Sequence, residues 1–482
     1  MEMESSSYQK QSLFARVWSS IKASPKKIKS EVVEFFQMIK RFGQDDPRRV
    51  IHSIKVGLCL SLVSLLYYFQ PVYDNFGVTA MWAVMTVVVV FEFSVGATFG
   101  KGLNRALATL VAGALGVGAN HLASLSGQIG EPILLAIFVF LQAAASTFLR
   151  FFPKIKARYD YGMLIFILTF SLISVSGFRD DEIIGTAQKR LSTVFIGGLA
   201  CVIISILVCP VWAGEDLHNL IALNMEKLGN FLEGFGDEYF GRGEEEEGCK
   251  EDRSFIEGYK SVLNSKSSEE TLANFARWEP GHGRFKFRHP WKYYLKIGSL
   301  TRQCACRIEA LNGYLEADIQ GKPEIRSKIR VTCTELCLES GKALKELALA
   351  VKNMTKPLSA DSHIENSKSA SKNLNTMLKS GLWEDADLLD LIPVATVASL
   401  LIDIVNCTEE IAGSVQKLAS MAGFASVEPT VSPEKPQTGQ PETSKTQDKV
   451  DSPHVVVTVR EPTQENENSL ESRNGMVRQM ES

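Results

Sequence analysis

The stretch LSTVFIGGLACVIISILVCPVWAG, residues 191–214, runs for 24 positions without a charged side chain. As a helix rising about 1.5 Å per residue it reaches roughly 36 Å, enough to cross a hydrocarbon layer of about 30 Å. Toward the N-terminus, further apolar segments lie between clusters of charge, at about 54–70, 76–93, 103–122, 131–149 and 161–178, and the last covers 191–212. Residues 58–66 or 82–90 alone would suit buried strands of a soluble protein. Six such segments in close succession, with connections too short for soluble subdomains, predict membrane helices instead.

The predicted fold class is therefore an all-α membrane protein, with six transmembrane helices followed by a cytosolic helical bundle. The 482 residues are 45% hydrophobic, and 52 basic against 55 acidic side chains leave a net charge of −3. That balance gives no bulk attraction for nucleic acid, so any anion chemistry must rest on locally placed cations. Nine cysteines are spread irregularly. Cys304-x-Cys306 and Cys333-xxx-Cys337 lack zinc-like spacing and partner histidines, which predicts reduced, packed thiols. The first 50 residues hold no apolar core with a small-residue cleavage site, so no cleaved leader is expected.

Loop charges set the orientation. Arg48, Arg49 and Lys55 precede or open the first span, Lys101 and Arg105 follow the second, and Arg150, Lys154, Lys156 and Arg158 separate the fourth from the fifth. The alternate loops hold Asp74, then Glu131, then the mixed set Arg179, Asp180, Asp181, Glu182, Lys189 and Arg190. Positive charge favours the cytosolic side, which puts both termini there. The expected divisions are a cytosolic arm (1–50), a six-helix membrane domain (51–214), a cytosolic helical domain (215–423) and a disordered tail (424–482). Within the arm, Lys22, Lys26, Lys27 and Lys29 suit either an anionic inner leaflet or a plain cytosolic arm.

Lys101 and Arg105, four apart, project from one helix face, with Glu92 nearby; Arg179 ends the fifth span and Arg190 begins the sixth. Lys101 and Arg190 stand against apolar helices near opposite membrane faces, where fixed cations would offset the lost hydration of a passing anion. Arg150, Lys154 and Lys156 read as anchors to lipid headgroups. Gly96-xxx-Gly100 and Gly113-xx-Gly116-x-Gly118 suit close helix packing in lipid or, alternatively, a local break or tilt around a pathway.

Beyond Gly214 the chain becomes amphipathic, with helices expected at 215–240, 251–278, 291–319, 324–354, 366–381 and 384–423. In the last, Val397, Leu401, Ile404, Thr408, Ile411, Val415 and Leu418 form one stripe, suited to packing within the chain or to dimerisation. The breaker-rich segment from Phe275 to Trp291 contains Pro280, Pro290, Trp278, Phe285, His282 and His289. Without an accompanying carboxylate constellation the histidines read as parts of a rigid packed connector, not as catalysts.

Five strings together resemble the aluminium-activated malate transporter family of plant anion channels: Asp46-Pro47-Arg48-Arg49, residues 80–89 (AMWAVMTVVV), Lys101-Gly102-Leu103-Asn104-Arg105, Tyr159-Asp160-Tyr161-Gly162 and Trp278-Glu279-Pro280. The resemblance covers residues 45–423. It implies a passive channel for malate and inorganic anions, six spans per subunit and a homodimer around one central pathway in the plasma membrane, with the vacuolar membrane as the alternative location. Carried onto this chain, it implies pore roles for Arg190, Lys101 and Arg105, to which Arg179 is added by position. It also implies extracellular Al3+ as activator, held by Asp74 and Asp181 with Asp180 and Glu182 close by; a third acidic position falls on Gly185. No enzymatic activity, bound cofactor or nucleic-acid partner is expected, and membrane lipid is. An ion-coupled carrier and a membrane scaffold are the competing functions.

Overall fold

The computed structural model describes residues 33–41, 43–69, 81–176, 183–241, 254–316, 323–380 and 387–426. The described elements are helical. In the apolar half these are α1 (Pro47–Tyr68), α2 (Met81–Val90), α3 (Val95–Ser124), α4 (Gly127–Leu149), α5 (Pro153–Ser176) and α6 (Ile183–Leu207). In the polar half they are α7 (Ala213–Gly241), α8 (Ser254–Leu263), α9 (Lys266–Ala276), α10 (Trp291–Glu316), α11 (Pro323–Asn353), α12 (Leu358–Leu378) and α13 (Leu388–Ala422).

α3 is the hub of the apolar half, packed against α4, α5 and α6, while α2 lies between α1 and α6. Cys59 and Val63 of α1, Ala83, Val87 and Val90 of α2, and Cys201 and Ile204 of α6 form one buried cluster. Ala112 and Ala119 of α3 with Phe170 of α5 form another. The outward residues stay apolar: Phe140 of α4 and Phe195 of α6 are 70% and 60% exposed. An outside as oily as the inside is the signature of helices solvated by lipid.

Five of the helices are long and apolar enough to cross a membrane: α3, α4, α5 from Arg158, α6 and α13. This differs from the expected six in two ways. α1, with Arg48, Arg49 and Lys55 in its first half, and the ten-residue α2 are not among the five, whereas α13 is. α13 owes its apolarity to the other half of the protein: its predicted stripe from Val397 to Leu418 is buried in the core shared with α10, α11 and α12. That stripe is consumed by packing within the chain.

In the polar half α7 lies along α11, and α10 along α13. Reciprocal glycines set the first crossing. A Cβ on Gly229 would lie 2.8 Å from the Gly341 carbonyl oxygen, and one on Gly341 would lie 3.0 Å from the Gly229 carbonyl oxygen. Around them Leu228, Phe231, Leu232, Leu336, Leu344 and Leu347 are fully buried. The helix expected over 251–278 is broken at Asn264–Ser265. The hydroxyl of buried Ser265 lies 2.7 Å from both the Val262 carbonyl oxygen and Glu269 Oε1, and its one hydrogen donates to either of these acceptors, a local competition that interrupts the helix ladder. α12 starts at Leu358, directly after Pro357, rather than at 366.

Gly229→Ala should lower stability by about 1–3 kcal/mol, because the added methyl meets backbone that cannot rotate away. Gly313→Ala, with open space around the position, should be neutral or stabilising. Melting of the two purified variants in detergent provides the comparison; equal midpoints would rule out a tight crossing at Gly229.

Candidate functional site

Two groups of cations sit at opposite ends of α2. Arg190, in the second turn of α6, is half-buried, and its guanidinium lies 4.8 Å from the ring centroid of Trp82 near the start of α2. Among the described residues its buried Nε has no hydrogen-bond partner. The Trp82 face supplies cation–π attraction but no hydrogen-bond acceptor, so the guanidinium keeps donor capacity.

The second group gathers where α2 ends and α3 begins. Lys101 and Arg105 share one face of α3, as their spacing predicts, and both meet Tyr161 of α5. Lys101 Nζ is 5.9 Å from that ring centroid, and Arg105 Nη1 donates to the Tyr161 hydroxyl at 2.9 Å. Lys101 also forms an ion pair with Glu92, just beyond α2, so its charge is largely balanced locally. Arg105 is 5% exposed, and among the described residues its buried Nε has no partner. The ten residues of α2 separate the two groups by about 15 Å.

Arg179, Asp74, Asp180, Asp181 and Glu182 lie outside the described residues. Gly185, where the resemblance places a third acidic residue, is in the first turn of α6. Among the described residues no group of three His, Cys, Asp or Glu side chains could hold a metal ion.

Beneath the second cation group lies a junction whose parts were visible in sequence but whose function was not. Glu279, of the Trp-Glu-Pro string, is 5% exposed. It accepts from the Ala213 amide at 2.6 Å and the Gly214 amide at 3.0 Å, the free N–H groups that open α7. The Gly96 amide, in the first turn of α3, is a third donor to it. Burial raises the Glu279 pKa, and the three amides oppose that rise. Gly96 and Gly100 therefore do not serve as contacts between membrane helices. Gly96 meets the Phe275 carbonyl oxygen and the Glu279 side chain, and a Cβ at Gly100 would lie 3.0 Å from Trp278. Gly116, by contrast, packs on Ile173 of α5 in the expected manner.

The rest of the connector completes the joint. The His282 ring stacks on Trp212 at 3.7 Å and 8°, in the link between α6 and α7. His289 and His218 both reach the Tyr294 hydroxyl, at 3.3 and 2.9 Å. Val95 N–H donates to the Val211 carbonyl oxygen at 3.0 Å, and buried Lys55 of α1 donates to the Cys209 carbonyl oxygen at 2.8 Å. α1, α3, α6 and α7 thus converge on residues 209–214 and 278–282. The Lys55 tie was missed in the sequence, where the residue counted only as a loop charge. Arg150, expected to anchor headgroups, instead makes a two-pronged pair with Asp160 of the Tyr-Asp-Tyr string, at 2.7 and 3.2 Å.

Comparison with known proteins bears on what this arrangement serves. Residues 40–385 match the family model described as aluminium activated malate transporter. Over 428 residues the chain is 59% identical to aluminum-activated malate transporter 2 of Arabidopsis thaliana, covering 88% of this chain and 85% of that protein. It is 53% identical over 441 residues to aluminum-activated malate transporter 1 of the same plant, covering 90% of each. Against aluminum-activated malate transporter 1 of Triticum aestivum the identity is 46% over 407 residues, covering 82% of this chain and 87% of that protein.

Glu279→Gln replaces a carboxylate acceptor with an amide that cannot accept from all the N–H groups gathered there. It should cost about 1–3 kcal/mol of stability, read as a lower melting midpoint in detergent. An unchanged midpoint would remove Glu279 as the clamp. The connector should also be acid-sensitive. Burial depresses His289 to about 4, with smaller contributions from His218, His282 and Lys286. The unfolded chain then takes up the proton near pH 6.5, before the folded one does. This contribution is present above about pH 6.5 and is lost as pH falls toward 4. Melting midpoints measured across that window should fall more steeply for the wild type than for His289→Gln.

Proposed function

The chain belongs to the aluminium-activated malate transporter family, and on that premise we propose that it is an anion channel of the plasma membrane, conducting malate and inorganic anions passively. Membership in a transporter family makes its activity transport rather than catalysis. In this reading α1 to α6 are the six spans, α13 stays in the cytosolic bundle, both termini are cytosolic, and two subunits enclose one central pathway. The cation excess at the start of α3 and in the 150–158 connection supports that orientation.

The observation that carries the reading is Arg190: a fixed cation, half-buried among apolar helices, held against Trp82 and left with an unpartnered Nε. An anion arriving at the start of α6 would meet the attraction of this fixed charge, and a single positive charge is weak enough to release it. Arg105 would serve the other end of the pathway, with Lys101 tuned by Glu92, and Arg179 would add a further positive charge. Asp74 and Asp181, with Asp180 and Glu182, would hold extracellular Al3+ through hard oxygen donors and bias the channel toward one of its states. The names of the relatives include aluminium activation. Gly185 would leave this acidic set one carboxylate short.

Purified protein in liposomes should give currents that reverse at the anion equilibrium potential; proton-coupled flux would indicate a carrier, and no transport at all would leave a scaffold. Arg190→Ala should reduce malate conductance more than chloride conductance, since Coulomb attraction scales with ligand charge. Equal losses at equal surface expression would place Arg190 in gating or assembly instead. Neutralising Asp74 and Asp181 to Asn should lower sensitivity to extracellular aluminium while leaving voltage-activated current, and an unchanged dose curve would exclude them as the sensor.

A further inference from the structure

Where the membrane half meets the cytosolic bundle, the first turns of α5 face α9 across an open groove of about 830 Å³. α5 contributes Lys154, Arg158 and Tyr159; α9 and its C-terminal cap contribute Glu270, Thr271 and Arg277. Lys154 and Arg158 are four residues apart and so share a helix face. Among the described residues none of the three cations has an ion-pair partner, whereas Arg150, four residues before Lys154, is held by Asp160. Glu270 is the one carboxylate lining the groove, which leaves the concavity with two net positive charges.

Position identifies the kind of anion. Arg158 is the first residue of the apolar span that continues to Ser176. Phe151 and Phe152, just before α5, are 77% and 49% exposed, as aromatic side chains are at a membrane interface. The groove therefore lies at headgroup height, with a lipid-facing surface beside it. Its volume falls within the range of roughly 300–1,000 Å³ typical of small-ligand sites and is generous for a single phosphate. Three separated cations suit several phosphates on one ring better than one phosphodiester.

We infer that this groove binds the phosphorylated inositol headgroup of an inner-leaflet lipid, with Lys154, Arg158 and Arg277 on the phosphates and Tyr159 and Thr271 as hydroxyl donors. One wall belongs to the membrane half and the other to the cytosolic bundle, so the headgroup bridges them a few residues from the Trp278–Glu279 joint. The inference rests on the proposed orientation, which makes this the cytosolic face.

The test uses the full chain in detergent, where binding depends neither on conduction nor on orientation, so a failure here leaves the channel reading standing. A short-chain phosphatidylinositol bisphosphate is titrated and retention read by native mass spectrometry, with phosphatidylserine and soluble inositol trisphosphate as parallel arms. Wild type should retain the phosphoinositide in preference to both. The combined Lys154→Ala, Arg158→Ala and Arg277→Ala variant should lose affinity about tenfold or more. Glu270→Gln should gain affinity, and Lys154→Arg with Arg277→Lys should retain it, each variant keeping the wild-type melting midpoint. Undiminished retention by the triple-alanine variant overturns the site. Equal binding of phosphatidylserine overturns the headgroup assignment, and equal binding of soluble inositol trisphosphate overturns the lipid source.

Discussion

A buried carboxylate stands at the centre of the joint between the two halves of this protein. Glu279 sits where the N–H groups that open α7 would otherwise be unsatisfied, and it accepts from them and from the Gly96 amide of α3. Charge-assisted bonds of this kind, shielded from water, are among the stronger polar contacts a protein makes, at about 1.5–3 kcal/mol each. The close approach also requires glycine at 96, because a methyl group there would strike the Phe275 carbonyl, and Gly100 lies tight against the Trp278 ring.

The same economy of charge governs the apolar half. A cation in lipid is costly unless it is neutralised, hydrogen-bonded or given access to water. Lys55 meets the Cys209 carbonyl, Lys101 meets Glu92, Arg105 meets Tyr161 and Arg150 meets Asp160. Arg190 has the Trp82 ring face and retains an unpartnered Nε. Among the described residues Lys154 and Arg158 form no ion pair, with Glu270 lining the same groove.

Local pattern carried much of the architecture. The charge-free run from Leu191 foretold α6, the alternating steps of three and four from Val397 to Leu418 foretold the buried face of α13, and Pro290 foretold the start of α10. Each depends on interactions within one helix, so each is written in consecutive residues. The break at Ser265 escaped because it turns on which hydrogen-bond partner a buried hydroxyl takes. Hydropathy could not separate α13 from a membrane span either, since a helix buried in protein and one buried in lipid use the same side chains.

For the candidate site the division is sharper. By itself the sequence determined that Lys101 and Arg105 face the same way, that Arg190 opens the sixth apolar segment, and that a proline-interrupted, aromatic-rich connector lies between cytosolic helices. Helical periodicity and backbone chemistry suffice for those statements. That Lys101 is balanced by Glu92, that Arg190 rests on Trp82, and that Glu279 reaches across 65 and 66 positions to the start of α7 was decided only by tertiary structure. The net charge and pKa of a group depend on neighbours brought close by folding, and electrostatic energy follows distance through space, not separation along the chain.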